Sequence, residues 1–163
     1  MLPLTEKDIR ASFINASQRE RKELNLPAHL DSIDWEAIDY LGWRDPKAPA
    51  QGYVVLHLDG VATGILLRKG DVQPRTRPQC AWCEDVELPN DVAFFSVKRG
   101  GAAGRRGDTV GTLVCADFEC SVNVRRRPTV AYVGFDVDAA KQHRIDVLRE
   151  RSQSFVRGIR STD

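Results

Sequence analysis

The sequence predicts an α+β fold with N-terminal helices, antiparallel β-hairpins through the middle and a long C-terminal helix. Three observations carry this expectation. Two capping patterns open the chain, Thr5 with Asp8 and Ser17 with Glu20, and such pairs close the free N–H groups of a helix start. Two strand-length apolar runs, Tyr53–Leu58 and Val61–Leu67, flank Asp59-Gly60. That dipeptide suits a two-residue type I′ turn, where both positions need φ > 0. All four cysteines fall into two close pairs, Cys80-x2-Cys83 and Cys115-x4-Cys120.

At 163 residues, the chain has room for one ordinary domain or two very small ones, and for a core that needs no disulfides. We read it as one domain, 1–163, in three parts: 1–74 with the helices and first hairpin, 75–130 with the cysteines, and 131–163 with the last helix. Lys and Arg number 24 against 23 Asp and Glu, for a net charge of +1, and 42% of residues are apolar. That composition is too apolar for a disordered chain. It also removes the simplest case for a general nucleic-acid binder, while leaving room for a local basic patch. The longest apolar stretches are far below the roughly 20 residues that span a bilayer. The first residues carry charges and no apolar run of a secretory kind. A cytoplasmic location is expected, with no membrane partner.

The elements follow in order. The first helix starts after Thr5 and presents Ile9, Phe13 and Ala16 on one face. A short charged second helix from Ser17 is ended by Pro27, and a weak turn at 34–38 presents Trp35 and Ile38. The segment Gly70–Pro78, with two prolines and Val72 as its only apolar residue, reads as a connector. Val92–Val97 and Thr109–Val114 read as strands around a flexible turn containing Gly100, Gly101, Gly104 and Gly107. Asp117 is placed to cap a helix that runs to about Arg127 and stops at Pro128. The last helix is expected from Asp136 to about Val156, with Val137, Ala140, Ile145, Leu148 and Phe155 toward the core.

The cysteine pattern is the most informative feature. Cys80-Ala-Trp-Cys83 turns sharply enough to aim two sulfurs at one ion. Cys115 and Cys120 would diverge by about 140° on a continuous helix, so Cys115 must precede the helix and Cys120 must lie in its first turn. A knuckle, a hairpin and a helix carrying the last ligand is the layout of a treble-clef zinc finger. Four soft thiolates favour one structural Zn²⁺ and leave no position for water. The alternatives are four buried thiols, or a Cys80–Cys83 redox pair, which leaves the second pair unexplained.

The run Gly104-Arg-Arg-Gly-Asp-Thr-Val-Gly-Thr-Leu-Val-Cys115-Ala-Asp-Phe-Glu-Cys120-Ser-Val-Asn123 resembles the treble-clef domain of elongation factor G-binding proteins. This family includes the fusidic-acid-resistance proteins of the FusB type and stand-alone actinobacterial members. Leu41-Gly-Trp-Arg-Asp-Pro46 and the opening from Leu4-Thr to Ile14-Asn15 are similar to the actinobacterial members. The resemblance implies a zinc-stabilised α+β domain that binds elongation factor G, and in the resistance proteins such binding frees the factor from a drug-stalled ribosome. Those proteins carry a separate N-terminal helical bundle, for which 163 residues leave no space, and a histidine in the zinc site, where this chain has four cysteines.

Two basic clusters are the candidate partner-binding residues: Lys98, Arg99, Arg105 and Arg106 in the glycine-rich turn, and Arg125, Arg126 and Arg127 at the end of the zinc helix. Arginine forks suit carboxylates or phosphates, so these clusters are read as flanking one docking face for an acidic protein surface or ribosomal RNA. The plainer alternative is a solvated loop and a helix end that follows the dipole. Gly100-x3-Gly104 is no phosphate loop, because Gly-Lys-Ser/Thr does not follow it. His29, His57 and His143 are scattered, and no catalytic constellation or small-molecule substrate site emerges. Trp35 and Trp43 are expected in the core, and Trp82 is the tryptophan expected to reach solvent. The leading reading is a non-enzymatic zinc protein that binds elongation factor G; an RNA- or ribosome-binding zinc finger is the alternative, and a thiol redox protein a weaker third.

Overall fold

A computed structural model describes residues 1–71, 75–87, 90–127 and 134–160. In chain order the helices are α1 (Glu6–Ser12), α2 (Gln18–Glu23), α3 (Gly101–Arg105), α4 (Cys120–Arg125) and α5 (Val137–Ile159). The strands are β1 (Leu41–Arg44), β2 (Gln51–Leu58), β3 (Val61–Lys69), β4 (Val92–Lys98) and β5 (Thr109–Cys115). They form one antiparallel sheet in the order β1-β2-β3-β4-β5. Pro128 and residues 72–74 of the expected connector lie outside the described residues.

Alternation along β2 and β3 sorts their apolar residues onto two faces. Val54, Leu56, Leu58, Ile65 and Leu67 pack with α5 (Ile145, Leu148, Val156, Ile159) and the cysteine region. Tyr53, Val55 and Leu66 pack with the N-terminal segment through Ile9, Phe13, Leu24 and Trp43. Both faces of these strands are therefore covered, which accounts for their continuous apolar runs. Asp59 and Gly60 have φ of 52° and 80°, as the I′ turn requires.

Both expected capping boxes form, but the two helices are shorter than expected. After Ser12 the backbone turns extended, Phe13 bridges Gly64 in parallel, and the Ile14 N–H donates to the Gly64 carbonyl at 2.9 Å. Pairing with β3 thus replaces further helix. The second helix stops at Glu23, well before Pro27, where Arg10 Nη1 donates to the carbonyls of Arg21, Lys22 and Leu24. That guanidinium meets carbonyls that a helix end leaves free.

The glycine-rich turn contains a helical turn, α3, where flexible chain was expected. A side-chain carbon at Gly104 would stand 1.8 Å from the Arg99 carbonyl oxygen. Glycine therefore serves close backbone packing at this position. Helix α4 begins at Cys120 instead of near Asp117, because Phe118 adopts a left-handed φ of 60° and Asp117 provides no cap. Asp136 does cap α5, accepting from the Ala139 N–H.

Asp45 closes the corner between β1 and β2. Its carboxylate accepts from Asn25 Nδ2, the Tyr53 hydroxyl at 2.8 Å, and the N–H groups of Lys47 and Ala48. Burial raises its pKa, yet these donors together hold it below the ordinary 3.8. A carboxylate with a depressed folded pKa stabilises the fold above its unfolded value and loses that contribution as pH falls through the folded one. Asp45→Asn should therefore lower the melting temperature at neutral pH. The gap from wild type should narrow below about pH 4, as read by thermal melts over a pH series.

Candidate metal centre and basic surface

The Cys80–Cys83 knuckle is anchored to β5 by the Ala81 N–H, which donates to the Leu113 carbonyl at 2.8 Å. Glu84 completes it with a left-handed φ of 57° and an N–H bond to the Cys80 carbonyl. Cys115 ends β5 opposite Val92, and Cys120 opens α4. Between them, the left-handed Phe118 drives its ring against Gly42 and Gly52, where an added Cβ would lie 2.6–2.7 Å from the ring side chain.

The four ligand sulfurs all lie within 4.8 Å of one another and are buried. Cys80 Sγ stands 3.6 Å from Cys120 Sγ, and Cys83 Sγ stands 3.7 Å from Cys115 Sγ. A tetrahedron with Zn–S bonds of about 2.3 Å has edges of about 3.8 Å, so the donor set fits one zinc ion. No histidine belongs to this cluster. The charge balance argues the same way. Cys80 and Cys83 are held low, chiefly because Cys115 and then Cys120 hydrogen-bond to their thiolates. Burial pushes Cys120 up, and Cys115 rises against Cys80 and Cys83 despite a favourable bond from Cys120. Thiolates packed this closely oppose one another's charge, and a dication relieves that opposition as it displaces thiol protons.

Side chains around the sulfurs complete the centre. Asn123 Nδ2 is 3.3 Å from Cys115 Sγ and 3.8 Å from Cys83 Sγ, and the Cys83 N–H points at Cys80 Sγ. The sequence analysis gives Asn123 no role; its signal is the i,i+3 spacing from Cys120, which puts both on one helix face. Trp82 is 1% exposed and packs against Tyr40 and Phe155. This corrects the expectation that it reaches solvent: the knuckle folds inward over α5. Trp43 is buried as expected, while Trp35 is half-buried. Burial, and then the Cys120 sulfur, keep the Tyr40 phenol well above its ordinary pKa, so it remains a neutral donor.

The basic residues separate into engaged and free groups. Arg125 grips Asp39 at 2.5 Å, joined by Arg149 at 2.7 Å, and the Asp39 side chain is fully buried. Arg99 Nη1 donates to the Gly158 carbonyl at 2.6 Å, and Arg106 faces Asp108 at 3.8 Å. Lys98, Arg105, Arg126 and Arg127 are exposed. The two clusters lie at opposite ends of the β4–β5 ladder. Lys98 pairs with Thr109 at one end of the β4–β5 ladder, and Cys115, which leads into α4, pairs with Val92 at the other. Six strand steps separate those ends, about 20 Å. Helix α5 gives the same span: the Gly100 N–H meets the Ile159 carbonyl near its C-terminus, and Arg144 bonds to the Arg126 carbonyl fifteen residues earlier, about 22 Å along the axis.

No helix among the described residues is long and apolar enough to cross a membrane. The sequence matches the FBP C-terminal treble-clef zinc-finger family over residues 8–159, a span holding all four cysteines and both basic clusters. No curated protein matches the chain. Among solved structures it is similar to the fusidic acid resistance protein FusC, at 26% identity and a TM-score of 0.48, over 64% of this chain and 46% of that one. The similarity thus spans less than half of that protein's length.

Zinc analysis and chelator competition test the centre. Wild type should carry one zinc per chain, and Cys120→Ser should lose both the metal and the cooperative melt of this region. Asn123→Ala should retain the metal with affinity lowered about 10- to 100-fold, as expected on losing a hydrogen bond to a ligand. Unchanged affinity would leave Asn123 as packing alone.

Proposed function

Because the chain belongs to the FBP C-terminal treble-clef zinc-finger family, we propose that it is a zinc-stabilised module that binds translation elongation factor G, free or on the ribosome, without catalysis of its own. The match across residues 8–159 carries this reading, since it takes in the resemblance to elongation factor G-binding proteins drawn from the cysteine segment. The buried four-sulfur set supports the non-catalytic part. Catalytic zinc sites keep one position open for water or substrate, and closed four-thiolate sites support a fold. Function then lies on the surface. Lys98, Arg105 and Arg106 at the α3 end are the first contact set, and Arg126 and Arg127 at the opposite end are a second.

Titration of the zinc-loaded protein against purified elongation factor G tests the proposal, with nuclease-treated and untreated components and at two salt concentrations. Binding with a Kd of about 1 μM or tighter, some −8 kcal/mol, that survives nuclease supports it. No saturation at tens of micromolar removes the factor as partner. Binding lost with nuclease, with affinity falling by a slope near −0.7 per phosphate in log salt, would make the chain an RNA-binding zinc finger instead.

A further inference from the structure

Strands β3 and β4 pair only at Arg68–Ser96 and Lys69–Phe95 and then separate. Asn15 holds the split open: its Nδ2 donates to the carbonyls of Leu66 and Lys98, each at 2.9 Å, and its Oδ1 accepts from the Leu66 N–H at 2.8 Å. Over this split, between the 14–20 segment and the α3 turn, lies a groove of about 610 Å³, within the range of ligand-binding clefts. Register puts Leu66, Arg68, Ser96 and Lys98 on the same sheet face, and all four line the groove with Ile14 and Arg105.

The lining holds four cationic side chains against one carboxylate, Glu20. Among the described residues, Arg68, Lys98 and Arg105 form no ion pair, and Arg99 is the cation already bound within the chain. The Glu20 carboxylate accepts from the Ser17 N–H at 2.7 Å, and that cap is the chief cause lowering its pKa. Its charge is thus taken up by its own helix start, and the cations leave the groove net positive. No aromatic residue lines it, so nucleic-acid bases have nothing to stack on, while Ile14 and Leu66 offer apolar wall.

We propose that this groove binds a short acidic peptide segment, its carboxylates held by Arg68, Lys98 and Arg105 and an apolar side chain resting on Ile14 and Leu66. The inference rests on reading the chain as a protein-binding module and supplies the chemistry of the partner segment.

The test uses the zinc-loaded full chain and a fluorescein-labelled hexapeptide of alternating aspartate and leucine. An asparagine–leucine peptide and a 12-nucleotide oligouridylate form separate arms. The Arg68→Glu, Arg105→Glu double variant should bind the acidic peptide at least about 30-fold more weakly, the scale for losing paired charges at an interface. The Lys141→Glu variant, eighteen residues before Ile159 on α5 and so far from the groove, should match wild type within about twofold, and the asparagine peptide should not bind. Arg105→Gln, which removes charge without reversing it, should give an intermediate loss at unchanged zinc content and melting temperature.

Equal peptide affinity in wild type and the groove variants, no peptide binding at 1 mM (roughly −4 kcal/mol), or oligouridylate displacing the peptide at physiological salt would each overturn the proposal. Elongation factor G separates the two levels of inference. If wild type binds the factor and the double variant binds it equally well, the groove proposal falls and the factor reading stands. If wild type ignores the factor but its peptide binding depends on Arg68 and Arg105, the groove stands and the factor reading falls.

Discussion

Four sulfurs buried within one ion's reach cannot all be thiolates without a cation, and this constraint organises the structure. Desolvation and mutual repulsion disfavour a cluster of bare negative charges, so zinc binding and correct folding of the cysteine segments share one free energy. The ion joins three elements that are distant in sequence: the Cys80–Cys83 knuckle, the end of β5 and the start of α4. Each then carries a further contact outward. Phe118 reaches from the turn to Gly42 on β1 and Gly52 on β2, Trp82 reaches from the knuckle to Tyr40 and Phe155, and Asn123 returns from α4 to the sulfurs.

A second polar centre extends that linkage to the N-terminal segment. The Asp39 side chain is fully buried between Arg125 of α4 and Arg149 of α5, and its N–H donates to Ser121 Oγ. Removing either arginine would leave a buried charge partly unpaired, which is more destabilising than the pair is stabilising. Arg125 is thus a link between the metal helix and the chain before β1. On the opposite sheet face, Ile9, Phe13 and Trp43 seat the same segment, and Asn15 takes the place of a missing backbone ladder between β3 and β4.

Most local chemistry is legible in the sequence, the failed Asp117 cap and the α3 turn excepted, and long-range substitution is not. The capping boxes, the Asp59-Gly60 turn, the strands and the Asp136 cap each involve residues within a few positions of one another, and they form where expected. So does the four-cysteine cluster, because ligand spacing is itself a geometric statement. Helix ends were missed where a distant group intervened: Gly64 takes the backbone after Ser12, and Arg10 closes α2 from another helix. Trp82 was misjudged because burial depended on Tyr40 and α5, far away in the chain. Arg125 read as a surface cation for a similar reason, since its partner Asp39 lies 86 positions earlier.

The same reasoning explains why the basic residues divide as they do. An arginine packed near the metal helix meets buried carbonyls and Asp39, and low local dielectric makes such pairing strongly preferred over exposure. Where no such acceptor lies within reach, as at Lys98, Arg105, Arg126 and Arg127, a cation stays exposed at little cost. Arg99, bound to the Gly158 carbonyl at the α3 end, shows that the division follows the available acceptor and not the end of the sheet.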